Sequence, residues 1–202
     1  MQKLIHLAMR QDKFDTDRIR SELLKVSRKA YEQELTMQAE RAGCTGQGRL
    51  GNNPALTELS DRAKTDAESI VNTYNYDLAA AITQIKKDAP RANRNTYVKR
   101  LASWEKKRNT WKAEQVAQWT EGVARVKAQQ DFYKFNNLDG VAYLLPKEAA
   151  EEICQGWINR GRVPLREMLN NPPPYHQNCP HYVVTEPEQI EQGECDQIWL
   201  GA

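Results

Sequence analysis

Apolar residues recur between about Ala55 and Lys87 at spacings that alternate between three and four positions. The row consists of Leu56, Leu59, Ala63, Ala67, Ile70, Tyr74, Leu78, Ala81 and Ile85. This is an eleven-residue period, or about 3.67 residues per turn, which predicts a nearly straight helix. At 1.5 Å per residue it is on the order of 50 Å long. Several members of the row are small, so we expect a second helix to pack closely against it.

Two further helices are predicted on either side of this one. The first runs from Asp15 or Thr16 to about Ala42 and ends at Gly43. Its apolar row is Ile19, Leu23, Val26, Ala30 and Leu35. The third runs from about Asn93 to Gln130, with Val98, Leu101, Trp104, Trp111, Val116, Trp119, Val123 and Val126 on its apolar side. The short break Asp88-Ala89-Pro90 predicts an antiparallel hairpin of the second and third helices.

The three tryptophans of the third helix have two interpretations. Trp104, Trp111 and Trp119 are expected to pack as core residues against the small side chains of the second helix. Alternatively, part of the row faces a neighbouring subunit, because Trp is enriched at interface centres.

The pattern changes after residue 131. Pro146 is expected to open a helix at its first position, where Pro is tolerated, with Ala149, Ile153, Trp157 and Ile158 buried and Gly161 at its end. One more turn over Pro164–Asn170 and a short strand at Tyr182–Val184 are predicted to follow. The tail residues Ile198, Trp199 and Leu200 are expected to dock on a neighbouring subunit.

The predicted fold class is therefore mainly α: a long antiparallel helical hairpin with an N-terminal helix and a small irregular C-terminal region. The predicted divisions are residues 1–53, which hold the first helix and a Gly-rich connector, 54–130, the hairpin, and 131–202, the C-terminal region with its Pro-rich segment and extended tail. A hydrophobic fraction of 40% and a charged fraction of 28% agree with an elongated helical protein that exposes much surface per residue.

Charge is distributed unevenly along the chain. Residues 86–127 hold 12 basic and 4 acidic side chains, a net charge of +8, whereas residues 128–202 hold 5 basic and 11 acidic ones, a net charge of −6. Such polarity serves either nucleic-acid binding or self-assembly through opposed faces. In the segment 91–112, basic residues alternate with Tyr97, Trp104 and Trp111, and this face is the candidate for nucleic-acid binding.

One group of residues has metal-ligand chemistry. His176, Cys179 and His181 lie within six residues, and Cys195 or Cys154 is a candidate fourth zinc ligand. The spacing H-x2-C-x-H is not a standard zinc pattern, so the sequence favours a Pro-bounded turn without metal. Cys179 and His181 also have the residue types of a hydrolase nucleophile and base, but a pocket and an oxyanion hole are required as well. The sequence therefore predicts no catalytic residue, no cofactor and no bound metal.

The N-terminal stretch has no apolar run long enough for a signal peptide, and no segment approaches the roughly 20 apolar residues that span a bilayer. A cytosolic protein without membrane contact is expected. Its four cysteines, at 44, 154, 179 and 195, are expected to be thiols.

The C-terminal half resembles a known family. The segment Asn171-Pro-Pro-Pro-Tyr-His-Gln-Asn-Cys-Pro-His-Tyr182 is similar to the Pro-rich, His-x-Asn-Cys ending of tailed-phage minor head proteins of the phage Mu head-morphogenesis type. The residues Lys64-Thr65-Asp66 and Tyr74-Asn75 are loosely similar to the helical stretch upstream of it, so the resemblance spans about residues 60–182. The chain has His181 where the family has a second Cys.

The resemblance implies a virion structural protein at the head or head–tail connection, either a minor head protein or an adaptor of the neck, without catalysis. The implied partners are copies of the chain in a ring, portal, capsid or other neck proteins, and packaged DNA. The implied locations are the virion and, during assembly, the host cytoplasm.

Overall fold

The computed structural model describes residues 16–48, 53–148, 151–174 and 179–201, and within them the protein is mainly helical. Its long helices are α1 (Thr16–Arg41), α2 (Pro54–Asp88) and α3 (Arg94–Phe135). These three helices confirm the predicted hairpin and the N-terminal helix. None of the described helices is both long enough and apolar enough to cross a membrane. The chain divides into two compact units, residues 1–23 with 60–116 and residues 24–59 with 117–202, and each is described separately.

Gly43 ends α1, as its position in the sequence predicts. Its φ of +86° is one that L side chains rarely adopt. The amide of Gly43 donates to the Glu40 carbonyl at 3.1 Å, and the amide of Cys44 donates to the Ala39 carbonyl at 2.9 Å. This pair of bonds satisfies carbonyls at the end of the helix and turns the chain sharply at Cys44.

In the unit of residues 1–23 and 60–116, the apolar row of α2 lies where the period places it. Ala63, Ala67, Tyr74, Leu78 and Ala81 are all buried. The hydroxyl of Tyr74 donates to Glu105 of α3 at 3.2 Å, and Arg108 pairs with Asp77 at 2.8 Å. Near the connection Tyr97 bonds to Ala89, whereas Arg108, later in α3, pairs with Asp77, earlier in α2, so the two helices run antiparallel within this unit, as predicted.

Helix α3 differs from its prediction in two respects. Val98 is 44% exposed, although it was assigned to the apolar side. The helix also continues five residues past Gln130 and ends at Phe135. The buried face of its last turns consists of Ala124, Ala128, Phe132 and Tyr133 together with polar residues, rather than the Val residues of the predicted row. A search for apolar residues misses a face built largely from alanine and polar side chains.

The C-terminal region contains a three-stranded antiparallel sheet, which the sequence indicated only at Tyr182–Val184. Strand β1 (Gly140–Leu145) lies between β2 (Val163–Pro164) and β3 (Tyr182–Pro187). Its register places Leu145 opposite Tyr182 and Gly140 opposite Pro187. Helices α4 (Glu152–Arg160) and α5 (Leu165–Asn170) and a 3-10 helix (Gln192–Gln197) complete the region.

The prediction that Pro146 opens a helix is wrong. Pro146 lies in a bend after β1, and α4 begins at Glu152. Ile153, expected to be buried, is 48% exposed, and Cys154 is the residue of α4 that is fully buried. Ala149 lies outside the described residues. Trp157 and Ile158 do pack against the core, and Gly161 ends the helix with a φ of +66°, as expected.

A buried polar network joins α1, α3 and β3 in the unit of residues 24–59 and 117–202. The Glu34 carboxylate, 4% exposed, accepts hydrogen bonds from Gln38 at 2.6 Å and Gln129 at 2.8 Å. Its second oxygen lies 3.2 Å from a guanidinium nitrogen of Arg125. The side-chain amide oxygen of Gln38 accepts hydrogen bonds from the Tyr133 hydroxyl at 2.5 Å and the Thr185 hydroxyl at 2.7 Å.

The C-terminal tail packs on its own chain. Ile198, Trp199 and Leu200 are partly buried against the core of this unit, and the Trp199 ring lies 4.4 Å from that of Phe135. The Asn136 side chain exchanges two hydrogen bonds with the backbone of Trp199, at 2.6 and 3.1 Å. The argument that these tail residues need a neighbouring subunit is therefore wrong.

The expectation of four thiols is also wrong, because Cys44 and Cys195 form a disulfide across 151 residues of sequence. The bond joins the turn after α1 to the 3-10 helix of the tail. The amide of Ile190 donates to the Ala42 carbonyl at 2.9 Å beside it. Cys154 and Cys179 take part in no disulfide.

Replacing Ala67 or Ala81 with Trp should lower the free energy of unfolding by about 1–3 kcal/mol, because both are buried and their neighbours must move. Urea titration of each variant measures the loss. Ala80→Trp is the matched control, since Ala80 is exposed on the same helix. Equal stability of all three variants would show that α2 does not pack along this row.

Glu34→Ala should destabilise the protein because it leaves the side chains of Gln38, Gln129 and Arg125 without their shared acceptor. Removing one partner of a buried ion pair costs about 3–5 kcal/mol. We expect the lower end, because Arg125 is 34% exposed and can turn to water. Glu40→Ala on the exposed side of α1 is the control. A loss no greater than that of the control would mean that the network contributes little.

Reducing the Cys44–Cys195 bond should lower the free energy of unfolding by about 2–5 kcal/mol, because an open unfolded chain has more conformations than a cross-linked one. Urea titration with and without dithiothreitol measures the difference. Cys44→Ala/Cys195→Ala should match the reduced protein and should not respond to the reductant. A parent whose stability is unchanged by dithiothreitol would contradict the assignment.

Candidate functional site

Two thiols and an imidazole meet beside the start of β3. Cys154 is contributed by α4, whose first turn is closed by a bond from the Gln155 amide to the Glu151 carbonyl at 3.0 Å. The Cys154 side chain is fully buried. Its sulfur lies 3.9 Å from the sulfur of Cys179, 25 residues further along the chain.

Cys179 and His181 lie on the extended segment that leads into β3. Alternate residues of an extended chain project to the same side, and the Cys179 sulfur lies 3.5 Å from His181 Nδ1. The pairing of β3 with β1 fixes the position of this segment, because Tyr182, the residue after His181, lies opposite Leu145. His181 is buried and Cys179 is half-buried.

The imidazole of His181 is oriented by a backbone carbonyl. Its Nε2 lies 3.0 Å from the Glu148 oxygen, which can only accept a hydrogen bond. Nε2 must therefore carry the hydrogen, and in the neutral ring the lone pair of Nδ1 faces the Cys179 sulfur, which lies 3.5 Å away.

Burial keeps the Cys154 side chain protonated in the absence of a cation. Removal from water raises the pKa of its thiol to about 11, and the nearby Cys179 sulfur acts in the same direction. Two thiolates at 3.9 Å would repel each other, which agrees with a protonated Cys154.

The sequence identified part of this cluster. It associated Cys179 with His181 and named Cys154 or Cys195 as a further ligand. The structure brings Cys154 to the pair and places Cys195 in the disulfide. His176 lies outside the described residues. The contribution of Cys154 depends on the packing of α4 against β1 and β3, and no local spacing encodes that packing.

The same geometry bears on the hydrolase interpretation. A cysteine hydrolase needs one sulfur, a base and donors that stabilise an oxyanion, and the first two are present. Here a second sulfur also converges on the pair, so that three potential metal ligands lie within 4.8 Å of one another.

An open depression of about 540 Å³ lies elsewhere, at the end of the sheet beside Gly140 and Pro187. Among its lining side chains, Arg162 pairs with Glu186 at 2.8 Å, and Asp139 lies 3.7 Å from Arg166.

Two of the rings that we expected to face nucleic acid in the segment 91–112, those of Tyr97 and Trp104, are half-buried and contact other residues of the hairpin. The Tyr97 hydroxyl donates to the Ala89 carbonyl at 2.6 Å, and the Trp104 ring lies 6.3 Å from that of Tyr74. The guanidinium of Arg108 lies over the Tyr74 ring at 4.9 Å. These groups therefore pack within the hairpin. The side chain of Trp111 lies outside the described part of the chain.

Comparison of this chain with protein-family models, with curated proteins and with solved structures finds no match, so its function has to be argued from its residues.

Proposed function

We propose that the protein is a structural component of a tailed-phage particle, at the head or at the head–tail connection, and that it acts through subunit contacts without catalysis. The observation that carries this proposal is the segment from Asn171 to Tyr182, which resembles the ending of minor head proteins of the phage Mu type. The described end of that segment continues into β3, an integral part of the C-terminal sheet.

The charge distribution supports assembly as the mode of action. The exposed cations of α3 include Arg94, Lys99, Arg100 and Lys107, within the segment of net charge +8. The exposed acids of the C-terminal segment include Glu188, Glu191, Glu194 and Asp196, within the segment of net charge −6. Opposed charges on successive copies, or on a portal or capsid protein, would favour head-to-tail contacts, and such contacts close into a ring when the rotation permits.

Exposed apolar side chains provide a second kind of contact. Tyr76 of α2 is 77% exposed, and Tyr182, at the end of the resembling segment, is 56% exposed. Aromatic side chains are enriched where subunits meet. A contact between subunits that combines charged and aromatic groups would weaken as salt rises but would not be lost.

Nucleic-acid binding is the alternative. The exposed cations Lys99, Arg100 and Lys107 of α3 could contact phosphates. The rings of Tyr97 and Trp104, in contrast, are half-buried and contact other residues of the hairpin. This observation favours assembly over dedicated binding of single strands. Contact with packaged DNA through the cations alone would fit either function.

The test is incorporation into particles. In a phage that carries this gene, deletion should abolish infectious particles, and the wild-type gene supplied in trans should restore them with the chain detectable by mass spectrometry. Lys99→Glu/Arg100→Glu should reduce incorporation, and association of the purified protein should weaken between 0.1 M and 1 M salt as the screening length falls from about 10 Å to about 3 Å. Lys29→Glu/Lys64→Glu is the matched control, because it makes the same charge change at exposed positions outside the basic segment.

Particles that are fully infectious without the gene, or that never contain the protein, would refute the proposal. Salt-dependent binding to bare DNA by a protein absent from particles, lost in Lys99→Glu/Arg100→Glu, would establish the alternative instead.

A further inference from the structure

We propose that Cys154, Cys179 and His181 form a zinc site that holds the C-terminal region together. The three side chains come from α4 and from the segment that enters β3, and they meet in the interior of the unit of residues 24–59 and 117–202. Two sulfurs and one imidazole nitrogen are a soft ligand set that suits Zn²⁺.

Two of the three distances between the ligand atoms fit a tetrahedral ion, and the third, between the Cys154 sulfur and the His181 nitrogen, lies within 4.8 Å and would shorten when an ion binds. With Zn–S of about 2.3 Å and Zn–N of about 2.0–2.1 Å, tetrahedral angles place two sulfurs about 3.8 Å apart and a sulfur and nitrogen about 3.6 Å apart. In the protein the two sulfurs are 3.9 Å apart, and the Cys179 sulfur is 3.5 Å from His181 Nδ1. All three ligand atoms lie within 4.8 Å of one another.

The hydrogen bond of His181 prepares Nδ1 for a metal. Histidines that bind metals usually donate their other ring N–H to a carbonyl or carboxylate, which fixes the tautomer and orients the ring. His181 donates from Nε2 to the Glu148 carbonyl in this way, at 3.0 Å. The Nδ1 lone pair, which faces the Cys179 sulfur at 3.5 Å, is therefore the one that a metal held by both side chains would use.

Zinc binding at this site balances charge and protons. The Cys154 and Cys179 thiols each lose a proton to water as their sulfurs bond to the ion, so Zn²⁺ and two thiolates form a neutral unit with the imidazole. The bonds replace the S–H contacts that the cluster makes without metal. The fourth position takes water or another side chain.

This assignment departs from the expectation of no metal that the sequence spacing gave. H-x2-C-x-H lacks the paired ligands of a standard zinc motif, but Cys154 supplies the missing partner from a separate helix. The site would tie α4 to the start of β3 and, through His181, to the chain at Glu148. Its role would then be to stabilise the region, whatever the particle or partner in which the protein works.

The test uses the full chain without an affinity tag, purified under reducing conditions. Elemental analysis for zinc, iron and copper should find about one zinc per chain. After removal of the metal with a chelator, added Co²⁺ should produce a sulfur-to-cobalt charge-transfer band and the intense visible bands of a tetrahedral site. Zinc added back should abolish these bands and raise the melting temperature of the protein.

Cys154→Ser, Cys179→Ser and His181→Ala should each weaken zinc affinity by at least the roughly 10–100-fold that loss of an outer partner costs. Circular dichroism establishes that each variant is folded. Cys44→Ala/Cys195→Ala removes the other two sulfurs and should retain zinc and the cobalt bands, which makes it the matched control.

Three results would overturn the proposal. The first is a reduced, folded parent protein that takes up no zinc even when zinc is supplied in excess. The second is zinc that remains bound at full affinity in folded Cys154→Ser and Cys179→Ser. The third is a stoichiometric amount of iron or copper in place of zinc.

Discussion

One buried carboxylate constrains how the C-terminal unit can fold. Glu34 on α1 has little access to water, so it must be satisfied by the side chains of Gln38, Gln129 and Arg125. Gln38 in turn accepts from Tyr133 of α3 and Thr185 of β3. A shift of any one element by a residue would leave several of these groups unpaired, at about 1–3 kcal/mol each. The network therefore fixes the register of α1, α3 and β3 relative to one another, whereas apolar packing alone would allow these elements to slide past each other.

The position of β3 has consequences at both of its ends. At its start, pairing with β1 places Cys179 and His181 against the buried face of α4, where Cys154 lies. Beyond its end, the chain crosses the C-terminus of α1, where Ile190 bonds to Ala42 and Cys195 joins Cys44. The same strand thus orients the thiol–imidazole cluster and leads the chain to the position where the C-terminal tail packs on the core of this unit.

The success of prediction varied with how much of each feature is encoded locally. The apolar row of α2 was predicted well because Ala67, Tyr74 and Leu78 recur at helical spacing and all lie on the buried side of one helix. The inner face of α3 was missed because Ala124 and Ala128 are weakly hydrophobic and their neighbours there are polar. The disulfide and the contribution of Cys154 could not be read from spacing, since both depend on residues brought together from distant parts of the chain. Pro146 was misassigned because Pro is favoured in turns and bends after a strand as well as in the first turn of a helix.

The bond between Cys44 and Cys195 also determines how the protein would carry a mechanical load. A pull applied to the chain near Thr16 and near Gly201 would pass along α1, through the sulfur bridge and out along the last few residues. The residues between the two cysteines, which are 151 positions apart, include α2, α3, all three strands and the thiol–imidazole cluster, and they would lie off the line of tension. A chain held at those two points would transmit force while most of its folded structure stayed unloaded.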